Sequence, residues 1–174
     1  MLSRLLALLL LLSPSQLSLA QKLGAVSHQV PETCAVTKPL EHPFVPPPPY
    51  RAQPPNSSVF WYGTDSFWTR LPTNAIWSQG EKTFWFRQEW GHYKPYEDPD
   101  QWIPEKDAAK LKVTARRLDG PAPAPQVGKA NSSYAGNSLG ALLIGGINFP
   151  TPGCWEVSGR YESDELTFIV WVVK

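Results

Sequence analysis

One pentapeptide, Gly136-Asn137-Ser138-Leu139-Gly140, matches the G-x-S-x-G motif of serine hydrolases. In those enzymes a buried strand precedes the serine and a helix follows it, because a sharp turn must lift the hydroxyl to the top of a sheet. Here small and polar residues precede the motif, and an apolar, strand-like run follows it. All three histidines (His28, His42 and His92) lie before Ser138, whereas that fold places its histidine after the serine. The motif therefore indicates a glycine-rich turn and not a nucleophile.

The other residues whose side chains could take part in catalysis or metal binding do not form a recognisable site. His92 lies near an acidic loop that contains Glu97, Asp98 and Asp100. Calcium prefers about six to eight oxygen ligands, and the EF-hand spacing is absent, so a solvated loop is the simpler interpretation. Carboxylates are present, but nothing in the sequence pairs two of them for glycosidase chemistry. We predict no catalytic, cofactor-binding or metal-binding residues, and no cofactor.

The first twenty residues have the features of a signal peptide. Arg4 gives a positive start, Leu5–Leu12 is an apolar run, and Ser18-Leu19-Ala20 fits a cleavage site. A membrane-spanning helix needs about 20 apolar residues, which this run does not reach. We predict a secreted or periplasmic protein with no membrane span after signal cleavage. An uncleaved membrane anchor is the alternative.

Charge and cysteine content restrict the possible partners and the compartment. The formal net charge is only +1, so the chain lacks the basic character of a nucleic-acid-binding protein, and we predict no nucleic acid partner. Its two cysteines, Cys34 and Cys154, suggest one disulfide in an exported chain. That bond would close a loop of about 120 residues, for which chain entropy predicts roughly 5 kcal/mol of stabilisation. Two buried free thiols are the alternative.

Prolines divide the mature chain into two parts. Residues 21–56 form a proline-rich arm with the run Pro46–Pro49, and polyproline II is its expected conformation because proline fixes φ and lacks an amide donor. If Cys34 pairs with Cys154, this arm must run along the surface of the domain. Residues 57–174 are predicted to form the domain itself.

The domain is predicted to be all-β. Short apolar or aromatic segments separated by proline and glycine turns are typical of a sandwich or barrel. Gly145 and Gly146 suggest a bulge, and Pro104–Ala109 is the only predicted helical turn. The predicted strands are Ser58–Gly63, Phe67–Leu71, Lys82–Glu89, Lys110–Leu118, Leu139–Phe149, Cys154–Tyr161 and Leu166–Val173.

Three short motifs resemble those of a known family. Trp61-Tyr62-Gly63, Phe67-Trp68-Thr69 and the segment from Pro150 to Glu156 (PTPGCWE) are similar to a family of uncharacterised secreted bacterial proteins. The last two predicted strands also resemble the closing hairpin of an immunoglobulin-like sandwich. The resemblance implies an immunoglobulin-like β-sandwich and export, and it carries no activity.

The eight tryptophans are the most unusual feature of the composition. Aromatic residues more often pack than bind, so the first interpretation is that they build the core and hold the arm, with Pro46–Pro49 against Trp61, Trp68 or Trp85. The alternative is an exposed surface that stacks on sugars or anchors a protein. The candidates for such a surface are Trp61, Tyr62, Trp68, Trp77, Trp85 and Trp90.

We therefore predict a non-enzymatic, exported structural or protein-interaction module with an unknown protein or glycan partner. The first alternative is a carbohydrate-binding module that uses surface tryptophans, and the second is an enzyme of unknown class. Exposure separates the first two hypotheses. Coplanar exposed indoles beside polar groups would favour sugar, whereas a contiguous apolar patch would favour a protein.

Overall fold

The computed structural model describes residues 29–98, 100–135 and 139–174. The predicted signal peptide, the first part of the arm and Gly136–Ser138 of the G-x-S-x-G pentapeptide lie outside these residues. The described part contains a 3-10 helix at Gln88–His92 and a single short α-helix, α1, at Glu105–Ala108. Its strands are β1 (Val59–Gly63), β2 (Trp68–Pro72), β3 (Ile76–Trp77), β4 (Glu81–Phe86), β5 (Lys112–Arg117), β6 (Gln126–Val127), β7 (Ala130–Ala135), β8 (Leu139–Asn148), β9 (Gly153–Tyr161) and β10 (Asp164–Val172).

The strands form two sheets that pack face to face. Sheet A has the order β1-β2-β4-β8, and both β6 and β7 pair with the free edge of β8. Sheet B has the order β3-β10-β9-β5, in which only the short β3–β10 pairing is parallel. The predicted all-β sandwich is confirmed. Its specifically immunoglobulin-like character stays a prediction.

The seven predicted strands are present with shifted ends, and the structure adds three more. β3 and β6 are two residues long, too short to show alternation. β7 carries the polar run Asn131-Ser132-Ser133 and forms an edge that pairs only with β8. Edge strands need no continuous apolar face, so their sequence signal is weak.

The core between the sheets is built around one indole. Trp85 is fully buried; its ring stacks on Phe67 at 5.2 Å between centroids and lies 5.9 Å from Phe168. Its indole N–H donates to Thr83 Oγ1 at 2.9 Å, so the buried donor is satisfied. Gly159 of sheet B faces the same indole and leaves room for it.

The predicted irregularity at Gly145 and Gly146 is present in β8. Glu81 pairs with Ile147 and Thr83 with Ile144, so the register between β4 and β8 shifts across the two glycines. Gly146 also approaches the carbonyl oxygen of Gly80, which an added Cβ would meet at 3.4 Å. The irregularity is a β-bulge, and β4 and β8 stay paired on both sides of it.

The first described half of the arm covers part of the outer face of sheet B, over β9 and β10. Cys34 is bonded to Cys154 of β9, as predicted, with 5.6 Å between their Cα atoms. Val36 packs in the same buried cluster, against which Ile169 and Trp171 lie half-buried. The Thr37 amide donates to the Ile169 carbonyl at 2.9 Å, and the Ile169 amide donates to Thr37 Oγ1 at 2.9 Å. The arm thus pairs with β10 as well as being covalently attached to β9.

The second half of the arm covers part of the outer face of sheet A. The ring contacts to Trp68 come from Phe44 and Tyr50, which flank the proline run, at centroid distances of 6.1 and 5.2 Å. Trp85 faces the opposite side of the sheet, toward the inner core. Of the three indoles predicted as alternatives to contact Pro46–Pro49, Trp85 is therefore excluded, because alternation along β4 directs it away from the arm.

Tyr50 allows a test of this attachment that depends on pH. Its hydroxyl donates to the Gly140 carbonyl at 2.7 Å, and burial, together with the charge of Glu89, raises the pKa of Tyr50 above its usual 10.0. We expect Tyr50→Phe to lower the free energy of unfolding at pH 7 by about 1 kcal/mol, since Gly140 loses a buried donor. The folded state favours the neutral phenol, so the contribution of Tyr50 to the free energy of unfolding is complete below pH 10 and is lost as the pH rises further.

The measurement is urea unfolding of both proteins between pH 7 and 11. The difference in the free energy of unfolding between wild type and Tyr50→Phe should narrow above pH 10. In the wild type the unfolded state loses the phenol proton of Tyr50 above this pH while the folded state keeps it, and Tyr50→Phe has no phenol to ionise. Other tyrosines and lysines titrate in both proteins and cancel in the difference. A difference that stayed constant across this range would contradict the role of Tyr50.

Candidate functional site

The six aromatic residues predicted to form a ligand surface do not form one. Five are buried tryptophans with exposed fractions between 0% and 8%: Trp61, Trp68, Trp77, Trp85 and Trp90. The sixth, Tyr62, is half-buried, donates its hydroxyl to the Thr167 carbonyl at 2.9 Å and packs on Phe168. The prediction of a tryptophan surface at these positions is wrong. Its physical reason is that aromatic residues on both faces of sheet A are covered, by sheet B on one side and by the arm on the other.

A different set of aromatic residues is exposed. Tyr96, Trp102 and Tyr134 are 71%, 42% and 40% exposed, and we call these three residues the aromatic patch. Tyr96 and Trp102 belong to the loop between the 3-10 helix and α1, and Tyr134 lies on β7. The rings of Tyr96 and Tyr134 lie 5.7 Å apart at an interplanar angle of 57°. Two segments distant in sequence thus place aromatic side chains on one surface.

Two hydrogen bonds hold the loop of the patch against sheet A. The Ile103 amide donates to Ser132 Oγ at 2.8 Å, which places Trp102 beside β7. The Gly140 amide donates to the Tyr93 carbonyl at 2.9 Å. A Cβ at Gly140 would lie 2.6 Å from the Trp90 carbonyl oxygen, so the close approach requires glycine. The loop is therefore attached to the sheet at both ends of the patch.

Acidic residues flank Tyr96 and Trp102 along the chain. Glu97 pairs with Lys94 at 3.2 Å, and the Asp100 amide donates to Asp98 Oδ1 at 2.9 Å. Glu105 is exposed at the start of α1. Across the described residues, no three His, Cys, Asp or Glu side chains are arranged to hold a metal ion. The loop that carries Tyr96 and Trp102 is therefore rich in carboxylates, and we call these acidic residues the border of the patch.

A cluster of paired charged groups lies elsewhere, at the end of β4. Arg87 pairs with Glu89 and Asp164, and its guanidinium carbon lies 4.9 Å from the centre of the Tyr161 ring. Burial raises the pKa of Tyr161. These contacts join the end of β4 to the β9–β10 hairpin and connect the two sheets. The cluster therefore has a structural explanation and does not resemble a catalytic arrangement.

A cleft of about 470 Å³ opens at one edge of the sandwich, between β5 and the β6–β7 turn. Its walls include Leu111, Val113 and Ile144, with Lys112 and Lys129 also lining it. Its one carboxylate side chain is that of Glu105. A single carboxylate among lysines and apolar residues does not supply the acid and base pair that hydrolysis of a glycosidic bond needs.

Sequence reasoning missed the aromatic patch although a signal was present. Trp102 and Tyr96 lie in a segment interrupted by prolines and rich in acids, where no alternating apolar pattern provides a covered face. The aromatic residues of β1 and β4 are instead consecutive within predicted strands, Phe60–Tyr62 and Phe84–Phe86, so they lie on both faces of sheet A, where sheet B or the arm packs on them. An aromatic residue outside any periodic element is the better candidate for exposure.

The fold and the patch together define a disulfide-linked β-sandwich with an exposed aromatic surface. No match was found among protein-family models, curated proteins or solved structures. The resemblance to secreted bacterial proteins therefore stays a prediction. None of the helices in the described ranges has the length and apolar character needed to cross a membrane.

Proposed function

We propose that this protein is an exported, non-enzymatic interaction module that binds a protein partner through the aromatic patch. The observation that supports the proposal is the joint exposure of Tyr96, Trp102 and Tyr134 in a molecule whose other tryptophans are buried or half-buried. Tyrosine and tryptophan are enriched at the centres of protein interfaces, where they supply much of the binding energy. A polar border around such a centre is also typical of interfaces.

The charge of the border suggests the chemistry of the partner. Glu97, Asp98 and Asp100 lie in the loop between Tyr96 and Trp102, and Glu105 follows it. Opposite charge across an interface increases the association rate and disfavours partners of the same charge. We propose a partner surface with an apolar centre and basic residues around it.

The geometry of the patch favours a protein over a sugar. Sugar stacking needs flat, accessible ring faces, and the rings of Tyr96 and Tyr134 are tilted by 57° with respect to each other. Among the described tryptophans, only Trp102 is exposed. The coplanar pair of exposed indoles expected for a carbohydrate module is therefore not seen in the described residues.

Export is supported by the cysteine chemistry and by the N-terminal sequence. The Cys34–Cys154 disulfide persists most readily in oxidising compartments. The charged, apolar and small-residue segments before Gln21 follow the order of a signal peptide. A secreted or periplasmic location is part of the proposal.

The test is cross-linking of the purified protein to the exported proteins of the producing cells, followed by calorimetry with each purified candidate. We expect Tyr96→Ala, Trp102→Ala and Tyr134→Ala each to weaken the complex about tenfold, the loss typical of interface aromatic residues. Leu118→Ala is the control, because Leu118 is also 39% exposed but lies in the turn after β5.

A panel of glycans, followed by tryptophan fluorescence, separates the alternatives. If a glycan changes the fluorescence of wild type but not of Trp102→Ala, the patch binds a carbohydrate and not a protein. If Leu118→Ala weakened the complex as much as the patch variants do, the patch would be excluded as the binding surface.

A further inference from the structure

One part of the outer face of sheet A contains an arginine, Arg70, with aromatic rings around it. Strand register aligns Trp61 with Arg70, Phe84 with Leu143, and Leu143 with Asn131. The Arg70 guanidinium lies 5.2 Å from the centre of the Phe84 ring, which connects the two halves of this line. We call these five residues the Arg70 row. It crosses β1, β2, β4, β8 and β7.

Arg70 has aromatic neighbours and, in the part of the chain that the structure describes, no carboxylate partner. Its guanidinium carbon lies 5.7 and 5.8 Å from the ring centres of Trp61 and Phe86, in addition to Phe84. Among the ion pairs and hydrogen bonds of the described residues, none involves the Arg70 side chain, whereas Arg87 and Arg116 pair with carboxylates. Burial alone lowers the pKa of Arg70, which is the effect of removing water without supplying an anion.

The same face is positively charged. Lys82 is exposed and lies two residues before Phe84, so both side chains are on the outer face of β4. The positions of the described strands that share this face include no aspartate or glutamate. The Trp61 indole donates to the Arg51 carbonyl at 2.8 Å, which places the exposed Arg51 at the edge of the row.

We propose that the Arg70 row is a second binding surface, which receives an aspartate- or glutamate-rich segment of a protein partner. A planar guanidinium binds a carboxylate through two parallel hydrogen bonds, and such charge-assisted bonds are stronger where water is partly excluded. Asn131, exposed at the end of the row, donates one amide hydrogen to the Lys129 carbonyl at 3.1 Å, and its side-chain oxygen adds an acceptor. Lys82 supplies a second cation for the next carboxylate of the segment.

The row favours an acidic peptide over an acidic sugar. Arg70 lies over the rings of Trp61, Phe84 and Phe86, so the faces that a sugar ring would stack on are occupied by the guanidinium. Trp61 is also only 8% exposed. This surface is distinct from the aromatic patch, whose border is acidic, so the two surfaces select partners of opposite charge.

The test measures binding of a hexaglutamate peptide to the purified protein by calorimetry in 50 mM and 200 mM salt. We expect Arg70→Gln to weaken binding about tenfold and Arg70→Lys to weaken it less, because lysine keeps the charge but loses the paired hydrogen bonds. Arg160→Gln is the matched control, since Arg160 is exposed on β9 of sheet B. It removes the same charge and should change the affinity by less than about twofold.

Further variants keep the proposal testable if Arg70→Gln unfolds. Lys82→Gln alters an exposed residue, and we expect it to weaken peptide binding about threefold and to reduce its salt dependence. Trp102→Ala should bind the peptide like wild type, so failure of the Arg70 row and failure of the aromatic patch are distinguishable.

Four results would overturn the proposal. Equal losses with Arg160→Gln and Arg70→Gln would show general charge attraction, and stronger binding of oligogalacturonate than of the peptide would indicate an acidic sugar. Displacement of the peptide by an equal concentration of inorganic sulfate would indicate a simple anion site. Self-association in sedimentation that disappears with Arg70→Gln would identify a second copy of this chain as the occupant.

Discussion

Replacing both Cys34 and Cys154 by alanine is expected to lower the free energy of unfolding by up to about 5 kcal/mol. The disulfide joins residues separated by 120 positions, and the chain-entropy model assigns a loss of this size to a loop of that length. Both cysteines are buried, with exposed fractions of 5% and 2%, so lost packing of the sulfur atoms adds to the entropic effect. Urea unfolding of the double variant measures the change.

The same variant also tests whether the bond holds the arm. Without it, residues near Cys34 depend on the hydrogen bonds between Thr37 and Ile169 and on the packing of Val36. We expect the Thr37 amide to exchange its hydrogen at least about tenfold faster in the variant, because the local opening free energy falls. The Thr69 amide in the centre of sheet A is the internal control. Unchanged exchange at Thr37 would mean that packing alone holds this part of the arm.

Gly159→Ala is expected to destabilise the protein by about 3 kcal/mol, the upper part of the usual range for overpacking a core. A Cβ at Gly159 would lie 2.2 Å from two carbon atoms of the Trp85 indole. Trp85 is fully buried, stacked on Phe67 and hydrogen-bonded to Thr83, so the ring has no space into which to move. Thermal or urea unfolding measures the effect.

Gly145→Ala is the matched control for this prediction. Gly145 also lies within a strand, but it is exposed and a Cβ there meets no atom within 4 Å. We expect a change within about 0.5 kcal/mol. In the double variant Trp85→Leu with Gly159→Ala, the smaller side chain removes the clash, so the combined loss should be less than the sum of the single losses. Additive losses would show that the two residues do not share this contact.

The sequence predicted local structure better than it predicted surfaces. The alternation of Leu166, Phe168 and Val170 appears directly in β10, because neighbours two residues apart share a face of a strand. The cysteine pairing was also accessible, since two cysteines in an exported chain allow only one intramolecular bond. The short edge strand β6 and the polar β7 were not, because pairing with β8 forms them and their own composition does not.

The candidate sites were almost entirely inaccessible to sequence reasoning. Trp68 and Arg70 occupy the same face of β2, yet Trp68 is fully buried under Phe44 and Tyr50, whereas Arg70 is only half-buried. Their alternation along the strand is identical, so no periodicity distinguishes them. The position of the arm decides which of the two is covered.

The amino-acid sequence by itself determined the strand periodicity, the cysteine pair and the stiffness of the proline arm, all of which depend on single residues or near neighbours. Only the tertiary structure decided that the arm covers sheet A around Trp68, and that Tyr96 and Tyr134 come together at the surface. The physical reason is distance along the chain. Burial depends on which distant segments pack against a residue. The Tyr50 hydroxyl, for example, donates to the carbonyl of Gly140, 90 positions away, and no local sequence pattern indicates that contact.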